Sequence, residues 1–270
     1  MQFVTFHIQR SDGDVKHADS DVARFDARMY VRMIDMMFDS AARYHPDMEP
    51  VVLTSPCTDL SELRRTVQRK DGPAAPESIM LDRTLAQLRH LEDCAFDGPI
   101  VMLDSDTLVF GSLARLFRED FDVAVTWRDN PTMPVNNGVL LLNDRHPAAV
   151  RRFFRRYADI YRRSYSRQAD WYGDQLAMAE LIGLPAREYA SRRTVDVEGC
   201  RVRLLPCSTY NARPKAKLLH VLFPGVRRRI LHFKADKKRL MRDYWRLHFS
   251  GTGVWTEPAE LARILFKTGR

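Results

Sequence analysis

Two carboxylates with one residue between them, Asp104-Ser105-Asp106, follow directly on the apolar run Ile100 to Leu103. A short apolar run bounded by Pro99 and Gly111 reads as a strand buried on both faces. In open α/β sheets the ligand crevice lies at the carboxyl ends of such strands. Carboxylates emerging there offer hard oxygen ligands suited to Mg²⁺ or Mn²⁺. Alone, the pair also reads as a polar turn from strand to loop. Four further groups follow in order: Asn136-Asn137-Gly138, Asp174-Gln175, Tyr210-Asn211, and His232-Phe-Lys-Ala-Asp-Lys-Lys238. Taken singly these read as turn residues, a helix N-cap, packing and a hydrogen-bonded core histidine. Only their coincidence points to a site.

The elements that must hold these residues alternate strand and helix. Phe3 to Ile8 reads as a first strand, Gln9 to Asp21 as a polar loop, and Val51 to Thr54 as a second strand. Between them Tyr30, Ile34, Met37, Ala41 and Tyr44 recur at helical spacing until Pro46. The Asp71–Pro76 breaker precedes a helix over 77–94 with Leu81, Leu85, Leu88 and Leu91 as its expected apolar face. Strands are expected over 121–126 and after an Asn-Gly turn at 137–138, and Asp144 is the expected cap of a helix carrying Pro147 in its first turn. That helix is basic and aromatic, but its apolar residues keep amphipathic register, so it is expected to face the core with its arginines solvated. A short helix ending near Ile182, a strand at 201–206 running into a polar loop, buried segments at 217–223 and 227–233, and a helix at 258–267 complete the chain. The alternation specifies an α/β fold with a parallel sheet covered by helices.

Composition is that of a globular protein: 270 residues, 45% hydrophobic and 29% charged. No apolar run approaches a bilayer span, and Met1 to Ile8 lacks a basic leader, so no cleaved signal is expected. Cys57, Cys94, Cys200 and Cys207 show no C-x-x-C spacing, and free thiols in a cytoplasmic protein are expected. The formal charge of +8 favours diphosphates, nucleic acid or an anionic membrane surface without choosing among them.

The ordered set, over residues 79–238, resembles the glycogenin-like (family 8) glycosyltransferases. In that family an apolar strand ends in D-x-D, followed by an N-[SA]-G turn, D-Q, a tyrosine-asparagine pair and H-F-x-G-x-x-K-P-W. The resemblance implies the GT-A fold, a Rossmann-like, mixed, mostly parallel sheet with helices on both faces. It implies Asp104, Asp106 and His232 as ligands of Mn²⁺ (or Mg²⁺), with imidazole favouring manganese. It implies Lys238 on the diphosphate, Asn136 and Gly138 at the donor sugar, and Asp174 and Gln175 lining the catalytic face. A basic residue on the helix before the D-x-D also reaches the donor, and Arg83 and Arg89 both qualify. The chain departs from the family in four places, one of them a short loop between the D-x-D and Asn136. Ala235 replaces a glycine, Arg239-Leu240 replace Pro-Trp, and His7-Ile8-Gln9 lack the nucleotide-binding aspartate, leaving Thr5 and His7 as substitutes.

The expected protein is one GT-A domain: a nucleotide-binding half (1–110), a donor-sugar and acceptor half (111–248) and a C-terminal helix (249–270). The expected activity is metal-dependent transfer of a hexose from a nucleoside diphosphate sugar, with UDP foremost, to a hydroxyl acceptor with retention. A glycan or lipid-linked acceptor and peripheral contact with an anionic membrane are expected partners; nucleic acid is not. Two rivals stand beside this. A haloacid-dehalogenase-like phosphatase would use Asp104 as nucleophile, but the motif lacks its glycine. A non-catalytic basic module would bind nucleotides or polyanions without metal.

Overall fold

The structure is a computed structural model that describes residues 1–9, 27–169, 171–215, 217–251 and 258–267. Apart from Gln9, the loop expected at 9–21 lies outside the described residues. The elements run in chain order. First come β1 (Gln2–Phe6), α1 (Ala27–Ala42), β2 (Glu49–Thr54), β3 (Gln68–Asp71), α2 (Ile79–Asp93), β4 (Ile100–Leu103) and β5 (Thr107–Val109). Then come β6 (Val123–Trp127), β7 (Val135–Leu142), α3 (Pro147–Ser164), α4 (Gly173–Ile182), β8 (Thr194–Val197) and β9 (Cys200–Pro206). The chain closes with α5 (Cys207–Tyr210), α6 (Leu218–Leu222), β10 (Ile230–His232), α7 (Met241–Phe249) and α8 (Pro258–Lys267).

Eight strands form one sheet in the order β3-β2-β1-β4-β7-β6-β9-β8, and β5 pairs with β10 in a separate two-stranded sheet. Strands β3, β2, β1 and β4 are parallel, as are β6 and β9, while β7 runs antiparallel to both its neighbours and β8 antiparallel to β9. The α/β sheet with helices on both faces is therefore present, mixed and mostly parallel. Strand β4 is buried throughout. Its side chains alternate as the pleat requires. Val101 and Leu103 enter one core with Met33, Ile34, Met37 and Phe38 of α1, and Ile100 and Met102 enter the other with Phe153, Phe154 and Tyr157 of α3. The exposed arginines of α3 lie opposite its buried aromatic face, as its register required.

Several expectations give way. Val135 to Leu142 is one continuous, buried strand, not a turn feeding a strand. Pairing on both edges satisfies the backbone, and a register shift opposite Val125 and Thr126 absorbs the irregularity. The N-cap of α3 is His146, without a side-chain cap, and Asp144 sits in the preceding turn. Helix α2 is rotated from its expected face. Arg83, Thr84, Gln87 and His90 are buried with Ala86 and Leu91, while Leu81, Leu85 and Leu88 are only half-buried. The polar face turns inward because Arg83 meets buried carboxylates there. Strands β3 and β8 were not expected; β3 is wholly exposed and carries no apolar signal. Segment 217–223 holds the short helix α6 with Leu218, Leu219 and Phe223 exposed, not a buried segment; of it only Val221 is buried. Residues 207–210 form a helical turn in place of a polar loop. All four cysteines are free, and no described helix is long and apolar enough to cross a membrane.

Burial also sets an acid limit on stability. Burial pushes His7, His90 and His248 down to about 4 from the ordinary 6.5. Between those values the unfolded chain binds more protons than the native one, so stability falls as pH drops from 6.5 towards 4. Each site contributes at most roughly 3 kcal/mol by linkage. The melting temperature is expected to decline steeply between pH 6.5 and 4.5, and a flat profile over that range would contradict the assignment.

Candidate active site

Asp104 leaves the end of β4, Asp106 immediately precedes β5, and His232 ends β10. The antiparallel register of β5 and β10 sets His232 opposite Thr107, which brings the imidazole back beside the two carboxylates. One ligand atom of each residue lies within 4.8 Å of the others. His232 Nε2 is 2.9 Å from Asp106 Oδ1 and 3.6 Å from Asp104 Oδ2. The remaining oxygen of each carboxylate is held by a cation. Arg83 donates to Asp104 Oδ1 and Lys238 donates to Asp106 Oδ2. Asp104 Oδ2, Asp106 Oδ1 and His232 Nε2 are thus left facing one another.

The protonation of His232 follows from a chain of hydrogen bonds anchored on backbone. Gly138 N–H donates to Asn136 Oδ1 at 3.2 Å, so that oxygen is an acceptor. Asn211 Nδ2 donates to the same oxygen at 2.7 Å and to Thr126 Oγ1 at 2.8 Å. Asn211 must therefore turn its own Oδ1 to His232 Nδ1, 2.8 Å away. This fixes the proton on Nδ1 and leaves the Nε2 lone pair towards the carboxylates. Burial lowers the His232 pKa, against the pull of Asp106, so the neutral ring is favoured. For Asp106 burial acts upward, yet the Lys238 ammonium outweighs it and holds the group far below the usual carboxylate range. Two anionic oxygens and an imidazole lone pair in mutual contact repel unless a cation lies among them. The donor set, hard carboxylates plus one nitrogen, fits a divalent ion of the manganese or magnesium type.

Space for such an ion depends on Gly138. A Cβ there would stand 2.7 Å from His232 Nδ1 and 2.8 Å from Asp104 Oδ2, and closer still to His232 Cε1. Asp174 and Gln175 open α4 on the other side. Asp174 is buried and accepts from Arg83 Nη2 at 2.5 Å, while Gln175 Oε1 accepts from Asn136 Nδ2 at 3.3 Å and Arg128 Nη2 at 3.1 Å. Burial raises the Asp174 pKa despite Arg83, and its Oδ1 has no hydrogen-bond partner among the described residues.

All the expected site residues, Asp104, Asp106, His232, Lys238, Arg83, Asn136, Gly138, Asp174 and Gln175, therefore join one connected cluster. Arg89 does not; its Nη2 donates to Pro73 O at 3.3 Å. Thr5 Oγ1 is buried and makes no hydrogen bond among the described residues. His7 stacks on Tyr30 at 6.2 Å, and the Lys238 ammonium lies 5.7 Å from the Tyr30 ring centroid.

Three contributors were not singled out by spacing. Asn211, noted only as half of a Tyr-Asn pair, orients the imidazole. Asn137 donates to Tyr157 Oη at 2.9 Å and Asp174 O at 2.8 Å, tying α3 and α4 to β7. The signal for it was a second asparagine in an otherwise apolar strand. Lys234 is half-buried near Asp104 and Asp106, and burial lowers its pKa.

Ala235, at the family's glycine position, keeps a left-handed φ of 51°. A left-handed φ in a residue with a Cβ costs about 1 kcal/mol of strain. Ala235→Gly is expected to stabilise the protein by roughly 0.5–1 kcal/mol, raising the melting temperature by a few degrees; a fall would contradict the strain.

No protein-family model and no curated protein sequence matches this chain. Solved structures do. The chain is similar to the glycosyltransferase GlyE of Streptococcus pneumoniae TIGR4 (13% identity, TM-score 0.53, 98% of this chain and 63% of that one). It is similar to the bifunctional glycosyltransferase WbbM (12%, 0.57, 98% and 51%). It is also similar to the galactosyltransferase LgtC, crystallised with donor and acceptor sugar analogs (16%, 0.53, 100% and 97%). The chain thus spans less than two thirds of GlyE and about half of WbbM. At these identities the likeness establishes the fold, and the fold is GT-A.

Proposed function

We propose that this protein is a metal-dependent glycosyltransferase of the glycogenin-like family, moving a hexose from a nucleoside diphosphate sugar, UDP foremost, to a hydroxyl acceptor with retention. The observation that carries the reading is the triad of Asp104, Asp106 and His232, whose facing lone pairs call for a divalent cation at the carboxyl end of a buried strand. The ordered D-x-D, N-N-G, D-Q and H-F motifs, now one cluster, support it, as does the GT-A fold.

In this reading Asp104, Asp106 and His232 hold the ion, with Asn211 keeping the Nε2 lone pair on it. When bound, such an ion offsets the charge that accumulates on a departing diphosphate. The protein's own charges are arranged for the same end. Asp104, Asp106 and Asp174 are balanced by Arg83, Lys234 and Lys238, so a divalent ion leaves the site with the positive excess that a diphosphate requires. Lys238 takes the diphosphate oxygens, and Arg83, braced between Asp104 and Asp174, reaches the donor. Asn136 and Gln175 share a hydrogen bond where the sugar would lie, and they orient its hydroxyls. An active-site glutamine-to-glutamate variant of LgtC has been crystallised, which accords with Gln175 at the reacting face. Nothing in the fold favours the phosphatase reading.

A thermal-shift panel of nucleoside diphosphate sugars with and without Mn²⁺ tests this. A donor at a hundred times its Kd should add about 2.7 kcal/mol, several degrees of melting temperature, and only with metal present. Stabilisation that persists in chelator and disappears in high salt would instead establish the non-catalytic polyanion-binding module.

A further inference from the structure

The segment between Asn211 and β10 carries an exposed apolar surface that the catalytic reading does not use. Leu218, Leu219, Phe223 and Val226 all project to solvent, with Leu219 69% and Val226 77% exposed. Large apolar side chains scattered singly over a surface are ordinary, but four within nine residues are not. The opposite side of this short segment is anchored: Val221 is buried, and its carbonyl accepts from His248 Nε2 at 2.9 Å. Gly225 packs so closely on Phe110 O that a Cβ could not fit. Arg229 N–H donates to Thr209 O and its carbonyl accepts from Phe110 N–H, both at 2.7 Å. The apolar residues are thus displayed by a segment tied to the body of the protein.

The charge along this segment has one sign. Residues 199–235 contain no Asp or Glu. Arg213, Lys215, Lys217, Arg227 and Arg229 are all exposed, and among the described residues none of the five forms an ion pair. Exposed aliphatic and aromatic side chains ringed by unpaired cations match an interface between apolar chains and anionic headgroups. A nucleic acid would call for stacking aromatics, of which this patch has only Phe223.

We infer that residues 213–229 form a docking surface for an anionic lipid bilayer, with Leu219, Phe223 and Val226 entering the headgroup boundary and the flanking cations pairing with lipid phosphates. Val226 is six residues from His232, no more than about 20 Å of extended chain, so a docked molecule holds its metal cluster close to the bilayer. This surface is independent of the catalytic assignment.

Co-sedimentation of the full chain with phosphatidylcholine vesicles, with and without about 30% phosphatidylglycerol, tests it in about 0.1 M salt. The expected result is binding to the anionic vesicles that weakens with salt and is far less with phosphatidylcholine alone. Leu219→Glu/Phe223→Glu should lower the bound fraction at least tenfold at about 1.5 kcal/mol or more per lost side chain. Lys215→Gln/Arg227→Gln should lower it about tenfold or more, at about 1 kcal/mol per cation. Thermal melting of both variants at the parent's temperature shows that the fold is kept, since all four positions are exposed. Asp104→Asn should bind vesicles like the parent, which separates this proposal from the catalytic one. Absence of binding, equal binding to neutral vesicles, or unchanged binding by the variants would overturn it. So would light scattering that finds a dimer abolished by Leu219→Glu/Phe223→Glu, since the occupant would then be a second copy.

Discussion

Under the proposed function, Asp106→Asn is expected to leave the chain folded and to lower sugar transfer by about a thousandfold or more, roughly 4 kcal/mol of transition-state stabilisation. Asp106 serves two partners at once: Oδ1 faces His232 Nε2, and Oδ2 accepts from Lys238. An amide keeps the size and one acceptor but loses the charge, so the triad falls from two anions to one and Lys238 is left beside a neutral group. Lys238 is largely buried, and breaking such a pair costs up to about 3–5 kcal/mol. The assay therefore needs a companion. Asp106→Asn/Lys238→Met should recover much of the lost melting temperature while transfer stays absent. Single-variant activity within tenfold of the parent, measured on folded protein with donor and Mn²⁺, would remove the ion from the reaction.

Gly138→Ala is the second large effect, and it works through space rather than charge. The added methyl group would overlap the His232 ring and the Asp104 carboxylate. Neither neighbour can yield easily. The imidazole is pinned by Asn211, and Asp104 N–H donates to Gly138 O at 2.9 Å, tying the two backbones together. Strand β7 is held by β4 on one side and β6 on the other. The expected outcome is a loss of about 1–3 kcal/mol in stability, with Mn²⁺ affinity reduced by about a hundredfold, as when the support of a metal ligand is removed. Isothermal titration with Mn²⁺ measures this directly; unchanged affinity would mean that the ion lies elsewhere.

How much of this could be read in advance depended on the kind of interaction. The strand before Asp104 was legible because an apolar run bounded by Pro and Gly has one economical burial, and β4 alternates between two cores accordingly. Helix α3 was legible because its aromatic residues hold one register. Helix α2 misled because its leucine periodicity describes the half-buried side, whereas three charged or polar residues, Arg83, Thr84 and His90, are drawn inward by partners distant in sequence. Strand β3, four exposed residues on the sheet edge, has no hydrophobic pattern to find; its parallel pairing with β2 is its signal. Within the site, the motif residues stood out because their order matched a family. Asn211 and Asn137 act through hydrogen bonds to residues tens of positions away, and such bonds leave no period in a sequence.

The pairing of β5 with β10 has a consequence for how this protein can vary. Since Thr107 meets His232 across a two-stranded ladder, the imidazole's place is decided by register and not by the length of what comes before it. A slip of a single residue would send the ring to the opposite face, whereas changing the exposed side chains of residues 213–229, with Val221, Gly225 and Arg229 kept as anchors, would leave it where it is. On the two proposals made above, chemistry and address are thereby uncoupled: the exposed side chains of one stretch can be rewritten while the metal-ligating cluster is inherited intact.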